Sequence, residues 1–160
     1  MAGPNLDGVR TEPARKQPAA RGSREFGEEC GGPGGVPYRV FAVAPERLRR
    51  VTIWHREYVD GIQLETDDSV LPRIGATGKH HDVHSDRFEL EADESLTGVT
   101  VEYWNYIDRI AFHTNKRTYG PYGGIGGRVR KVLSAPDGRT VAGFAGRHWD
   151  FIDSIQLIVQ

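Results

Sequence analysis

Three aspartates stand in nearly the same company along this chain of 160 residues. They occur in Tyr58-Val59-Asp60-Gly61-Ile62, Tyr106-Ile107-Asp108-Arg109-Ile110 and Phe151-Ile152-Asp153-Ser154-Ile155, spaced 48 and then 45 residues apart. Glycine runs keep the same step, with Gly75-Ala76-Thr77-Gly78 starting 15 residues after Asp60 and Gly123-Gly124-Ile125-Gly126-Gly127 starting 15 after Asp108. Only seven residues follow Asp153, and an unmatched run, Gly31-Gly32-Pro33-Gly34-Gly35, lies far upstream. An ionised carboxylate accepts several hydrogen bonds, each contributing roughly 1.5–3 kcal/mol when a charged group takes part. Glycine loops present backbone N–H groups that no side chain shields. An aromatic ring two residues away offers an apolar face to C–H groups. A polyhydroxylated, uncharged ligand such as a hexose needs this combination: hydroxyls on the aspartate, oxygens on the loop amides, ring carbons on the aromatic. The bland alternative is that the aspartates cap turns and the glycines allow tight loops. Residue chemistry alone leaves both open.

The elements that must carry these residues repeat with them. Leu48 and Val51, Leu96 and Val99, and Val141 and Phe144 stand twelve and nine residues before the three aspartates. Fixed self-similarity of this kind marks an internal repeat and governs the architecture. Each copy reads as two β-patterned runs joined by a short polar turn, which predicts a hairpin. The hairpins run from Leu48 through His55-Arg56-Glu57, over 96–114 through Trp104-Asn105, and over 140–159 through His148-Trp149-Asp150. Val36–Val43 predicts a first strand, and Phe88–Glu91 and Arg128–Leu133 shorter ones; 67–85 and 115–127 read as loops, and Pro136-Asp137-Gly138 as a turn. No stretch keeps a helical period. Ten to twelve short strands imply an all-β domain of three similar sheets. If the three units close a ring, the N-terminal glycine run completes the third, and the first strand joins the sheet of the last hairpin.

Composition narrows the function classes. A net charge of −1 and a pI near 6.6 give no basic footprint for nucleic acid. No apolar run approaches the ~18 residues of a membrane span. A single cysteine, Cys30, excludes an intramolecular disulfide. Residues 1–29, rich in Pro, Ala, Gly, Arg and Glu, predict a disordered tail, leaving 30–160 as one domain. No apolar segment follows the N-terminal positive charges, so a cytoplasmic or non-classically secreted protein is expected.

Gly31-Gly32-Pro33-Gly34-Gly35-Val36-Pro37-Tyr38, His113-Thr114-Asn115-Lys116-Arg117-Thr118-Tyr119-Gly120-Pro121-Tyr122-Gly123, Gly143-Phe144-Ala145-Gly146 and Phe151-Ile152-Asp153-Ser154-Ile155 together resemble the jacalin-related lectins, in order, from about residue 31 to 160. The resemblance implies a β-prism of three four-stranded Greek-key sheets with pseudo-threefold symmetry. It also implies reversible binding of mannose- or glucose-type glycans without cofactor, metal or catalysis. By analogy with one-site plant members, the site would be Gly31, Gly35, Asp150, Phe151 and Asp153. By analogy with three-site mannose-binding algal members, Tyr106 and Asp108 would pair with Gly123 and Gly127, and Tyr58 and Asp60 with Gly75 and Gly78. Arg56, Trp104 and Trp149 stand where the family usually has glycine four residues before the Asp, and Ile74 and Thr77 erode the middle run. The resemblance ranks Asp153 first, Asp108 close behind, and Asp60, with its eroded loop, last.

Other constellations are weaker. Trp54, Trp104 and Trp149 fall one per hairpin, at the expected tips, where they could stack on a sugar or be partly buried. His80-His81-Asp82-Val83-His84 lacks the His-Glu-x-x-His spacing of a zinc site. No G-x-S-x-G, P-loop or G-x-G-x-x-G occurs, and threefold separation of the aspartates argues against an acid/base pair. The chain therefore reads as a lectin; the alternative is a β-prism that has lost sugar binding and serves as a protein-interaction or structural domain. Homo-oligomer formation stays open.

Overall fold

The computed structural model describes residues 24–76 and 82–160. These form β1 (Glu25–Phe26), β2 (Cys30–Gly31), β3 (Val36–Phe41), β4 (Arg50–His55), β5 (Val59–Glu65), β6 (Ile74–Gly75), β7 (His84–Glu89), β8 (Leu96–Tyr103), β9 (Ile107–Thr114), β10 (Thr118–Gly123), β11 (Val129–Ser134), β12 (Val141–His148) and β13 (Ile152–Val159). Two sheets have the orders β6-β5-β4-β7 and β10-β9-β8-β11. In each, three consecutive strands are followed by a fourth that returns beside the first, the Greek-key order. The third sheet is built on the hairpin β12–β13, with β3 on one side and both β1 and β2 on the other. The repeat thus closes across the chain ends. Gly31 pairs Ser154 in the third sheet where Gly75 pairs Gly61 and Gly123 pairs Arg109 in the others.

The apolar positions of the repeat hold this ring together. Leu48, Val51, Leu96, Val99, Val141 and Phe144 are all buried, as are Ile62, Leu64, Ile110, Phe112, Ile155 and Leu157 on the partner strands. Period-2 alternation sends each set to the inner face of its sheet, where burial contributes roughly 1.5–3 kcal/mol per large side chain. Phe112 meets Phe144 edge-on at 6.2 Å, joining the second and third sheets through the middle.

Several boundaries differ from the sequence reading. The expected tail ended at residue 29, yet Glu25 and Phe26 pair Val159 and Ile158, and the Gly27 N–H donates to Leu157 O at 3.0 Å. The exposed edge of β13 offers ladder groups that a two-residue strand can satisfy, whatever its composition. For the same reason the third sheet has five strands rather than four. The rest of the expected tail, residues 1–23, lies outside the described residues. The predicted loop 115–127 contains β10. Its Gly120-Pro121 reads as a breaker, but the register shifts between Tyr119 and Tyr122, and a proline off the ladder is tolerated at such a bulge. The predicted loop 67–85 contains β6 and the start of β7, whose exposed charged residues on a sheet edge lack any apolar alternation.

The most specific stretch of the sequence has a structural purpose. Glu94 is wholly buried between sheets, yet it accepts from Thr114 Oγ1 at 2.7 Å, from the Glu91 N–H at 3.1 Å and from Tyr119 OH at 3.0 Å, with Arg117 Nε 3.2 Å away. Thr114, Arg117 and Tyr119 all belong to the His113–Gly123 stretch, which is therefore a clamp for one carboxylate. In the first unit, Glu46 is held likewise by Thr66 and Ser69 hydroxyls at 3.0 and 3.2 Å. Burial pushes the Glu94 carboxyl up, but the Thr114, Glu91 and Tyr119 hydrogen bonds and the Arg117 charge outweigh it, and its pKa lies below the ordinary value. A lowered carboxylate pKa gives stability that is complete above the unfolded value of ~4.3 and lost as pH falls through the folded one. Glu94→Ala is expected to cost about 1–3 kcal/mol in urea unfolding at pH 7, because the Thr114 and Tyr119 hydroxyls and the Glu91 amide lose their acceptor. The gap between wild type and variant should narrow below pH 4; a loss under about 1 kcal/mol would refute the clamp.

Candidate functional site

All three aspartates occupy the same irregularity. In the first hairpin Trp54 pairs Gly61 and His55 pairs Val59, so Asp60 has no opposite number. Asp108 is skipped in the same way between Ile107 and Arg109, and Asp153 between Ile152 and Ser154. Each is the extra residue of a β-bulge, which releases a side chain from the in–out alternation and re-aims it. The freed backbone is used at once. The carbonyls of Asp60, Asp108 and Asp153 accept the N–H of Ala76, Gly124 and Gly32 at 3.1, 2.9 and 2.8 Å.

That bond brings each glycine loop against its bulge. Gly31, Gly75 and Gly123, at φ +134°, +80° and +113°, press so close that a Cβ on any of them would overlap the carbonyl oxygen of Asp153, Asp60 or Asp108. Only glycine meets both demands. Further along, a Cβ at Gly34 would stand 2.8 Å from Asp153 Oδ1, and one at Gly126 3.0 Å from Asp108 Oδ1. Gly35 approaches Asp153 Oδ2, whereas Gly127 backs onto Glu102 and Tyr103 of β8. Gly78 lies outside the described residues. Gly34 and Gly126 were missed as site residues, although Gly126 follows Asp108 by the same 18 residues as Gly78 follows Asp60.

The carboxylates are buried, with Asp60, Asp108 and Asp153 at 2 %, 3 % and 4 % exposure. Asp108 Oδ2 and Asp153 Oδ2 accept no hydrogen bond within the protein. Burial pushes both carboxyls above the usual range; for Asp108 the Trp104 amide and its own amide oppose this, and for Asp153 the Arg147 charge does. Each thus keeps an oxygen whose hydrogen-bonding capacity the protein does not fill.

The aromatics of the motif are arranged otherwise than the sequence suggests. Tyr58, Tyr106 and Phe151 do not stand apart over three pockets but close on one another, with ring centroids 5.0–5.2 Å apart in all three pairs. They form one triangle where the three turns meet. Trp104 and Trp149 lie in turns and are 49 % and 66 % exposed. Trp54 is not at a tip; it sits in β4 opposite Gly61, under the Arg73 guanidinium 3.4 Å from its ring centre.

The three places are unequal. A groove of about 610 Å³ opens at Asp108, between Trp104 and Tyr106 of its own turn, Gly126 of its loop, and Arg56 and Tyr58 of the first unit's turn. At Asp153, Arg147 straps the loop by donating to the carbonyls of Gly34 at 3.1 Å and Gly35 at 2.6 Å. A cavity of about 440 Å³ lies on the outer side of that loop, against Glu29 and Ser154, and does not include the carboxylate. Asp150, one turn residue before Phe151, raises the Asp153 pKa by its charge. Of the His80–His84 cluster, only Asp82, Val83 and His84 are described, and His84 faces His55 across β4 and β7. Among the described residues, no three His, Cys, Asp or Glu are grouped to hold a metal.

Neighbouring units also clamp each other's loops. His148 Nδ1 accepts the Gly75 N–H at 2.7 Å, and His55 Nδ1 accepts the Gly123 N–H at 3.0 Å while its Nε2 donates to Asp86 at 2.6 Å. The third equivalent position, five residues before Asp108, is Tyr103, which reaches Cys30 beside Gly31. Each histidine must be neutral to accept at Nδ1. Burial holds the His148 pKa below its ordinary value, in keeping with that role.

A family model for the jacalin-like lectin domain matches residues 27–158. Two curated relatives are from Arabidopsis thaliana. Jacalin-related lectin 36 is 34 % identical over 120 residues, covering 69 % of this chain and 25 % of the relative. Jacalin-related lectin 5 is 32 % identical over 117 residues, covering 68 % and 15 %. The chain thus spans a quarter or less of these relatives. Among solved structures, Calystegia sepium agglutinin superposes with a TM-score of 0.75 at 20 % identity, covering 85 % of this chain and 95 % of its own. A mannose-binding jacalin-related lectin from Ananas comosus does so at 0.70 and 20 %, covering 86 % and 97 %. Both likenesses show the fold.

Two outcomes test this geometry. A carboxyl whose folded pKa is raised is most compatible with the fold below its unfolded value near 3.9, and that advantage is gone once pH rises through the folded pKa. At neutral pH Asp108 and Asp153 are therefore a burden on the ligand-free fold. Asp108→Asn, removing the buried charge, should raise the melting temperature by about 2–4 °C, corresponding to about 1 kcal/mol; a fall of that size would contradict the assignment. For His148, whose folded pKa is lowered, the loop clamp is complete above about pH 6.5 and is lost as pH falls through the folded value. The Gly75 amide in ¹⁵N spectra should therefore shift on acidification while the Gly31 amide holds still, and parallel behaviour of the two would count against the clamp.

Proposed function

This chain belongs to the jacalin-like lectin family, whose domains bind carbohydrate and do not catalyse, and we propose that it binds mannose- or glucose-type glycans reversibly at up to three pseudo-equivalent sites. The observation that carries the reading is the groove at Asp108, where a buried carboxylate oxygen without a partner lies beside a glycine loop. Vicinal hydroxyls donate to that oxygen, the loop amides donate to sugar oxygens, and the exposed Trp104 edge and the Tyr58–Tyr106 rings line the walls. Asp108 is the principal site on this reading, with Gly123, Gly124 and Gly126 forming its loop. Asp153, with Gly31, Gly34, Gly35, Asp150 and Phe151, is the second, entered past the Arg147 strap. Asp60, with Tyr58, Gly75 and Gly78, is the third.

A protein-interaction domain is the rival, and the exposure of Trp149 and Ile125, 66 % and 89 %, favours it. Sugar titration separates the two. Methyl α-mannoside should saturate the chain with a Kd near millimolar, about −4 kcal/mol, as befits shallow single-sugar seats. Asp108→Asn should weaken binding about tenfold or more at that site, followed by NMR shifts of Gly124 and Gly126. No response to mannose, glucose or galactose at tens of millimolar would sink the lectin reading.

A further inference from the structure

We propose that the Asp108 groove selects glycans carrying a negatively charged group, a carboxylate or a sulfate, which Arg56 and Arg128 bind beside the hexose seated on Asp108. The inference rests on the reading of Asp108 as a sugar site and adds a ligand class to it. Both arginines line the groove, one from the first unit's turn and one from the end of the second unit's glycine loop. Among the described residues, Arg49, Arg50, Arg87, Arg109, Arg117 and Arg139 are held in ion pairs and Arg147 on loop carbonyls. Arg56 and Arg128 make no ion pair among the described residues. Arg128 lies over the Trp104 ring, 4.9 Å from its centre, which fixes its planar face and leaves its edge N–H groups for an acceptor. Arg56 goes further. Its Nε is buried and has no hydrogen-bond partner.

A buried N–H donor without an acceptor is costly even on a half-exposed side chain, and a bidentate anion is the group that a guanidinium fork fits best. Glu57 is the one carboxylate on the groove wall besides Asp108. It is exposed, and its backbone packs against Gly124. The two guanidinium groups thus face one exposed carboxylate, Glu57, and one buried carboxylate, Asp108, that the hexose occupies on this reading. Its volume, about 610 Å³, is that of a site for a ligand larger than one sugar ring. At Asp153, by contrast, Arg147 is spent on the Gly34 and Gly35 carbonyls.

The full chain should be titrated with methyl α-mannoside, mannose 6-sulfate and a glucuronosyl-mannose disaccharide at low and high salt. At least one acidic probe should bind about tenfold tighter than the neutral mannoside at low salt, and screening should shrink the advantage at 1 M salt, where the Debye length is about 3 Å. A gain for the sulfate alone or the uronate alone identifies which anion the fork takes. Arg56→Gln with Arg128→Gln should bring the acidic-to-neutral ratio to about one, whereas Arg130→Gln, on β11 outside the groove, should leave it unchanged; Arg128→Gln alone covers the case in which the double variant does not fold. Equal affinity for neutral and acidic probes, or a ratio unmoved by the arginine variants, overturns the inference and leaves the proposed function standing. Failure of all three probes to bind overturns both.

Discussion

In each hairpin the strand that carries the aspartate has one residue more than its partner can pair with, and the surplus residue is the aspartate itself. Because it is off the ladder, its carbonyl is available to the glycine loop and its carboxylate turns away from the in–out alternation. Everything else at this end of the prism follows from that one bond between loop amide and bulge carbonyl. It holds the three glycines against the strand too tightly for a Cβ, sets the loop beside the carboxylate and, in the third unit, joins the first strands of the chain to the last. A register without the bulge would pair the aspartate and close the site.

The arrangement is held at some expense. Three acids lie at 4 % exposure or less, and the carboxyls of Asp108 and Asp153 are displaced upward by burial. Glu94, equally buried, has its pKa displaced downward because hydroxyls, an amide and a guanidinium surround it. The contrast distinguishes the two uses of a buried carboxylate. One is satisfied internally and stabilises the junction of sheets; the other, at Asp108 and Asp153, keeps an oxygen that the protein gives no donor, and the proposed function uses that oxygen.

The pseudo-threefold plan is also a chain of mutual support. Each loop is packed by the turn of the preceding unit: Gly124 against Glu57, Gly32 against Asn105, Gly123 and Gly75 under imidazoles of the neighbouring unit. A site is therefore built by two units at once, and small differences between units become differences between sites. Arg147 occupies the loop carbonyls at Asp153, while Arg56 and Arg128 frame an open groove at Asp108.

The repeat and the family stretch together identified the architecture, because the spacing of Asp60, Asp108 and Asp153 and of the glycine runs is a one-dimensional record of a threefold object. The closure of the ring by Gly31–Gly35 was legible for the same reason: an orphan run at one end and a run missing at the other. The strand Glu25–Phe26 was not, since an edge borrows backbone groups and leaves no mark in side-chain pattern. The meeting of Tyr58, Tyr106 and Phe151 in one triangle was hidden too. Identical positions in three repeats converge only when an axis exists, and sequence distance does not record which residues face it. The ranking of the sites changed for a related reason. The family resemblance placed Asp153 first, but the groove at Asp108 is made with a turn 50 residues away in sequence, and only packing between units decides which carboxylate lies beside it. The chain alone determined which residues repeat; the tertiary structure decided which copy is open, because opening is a property of neighbours.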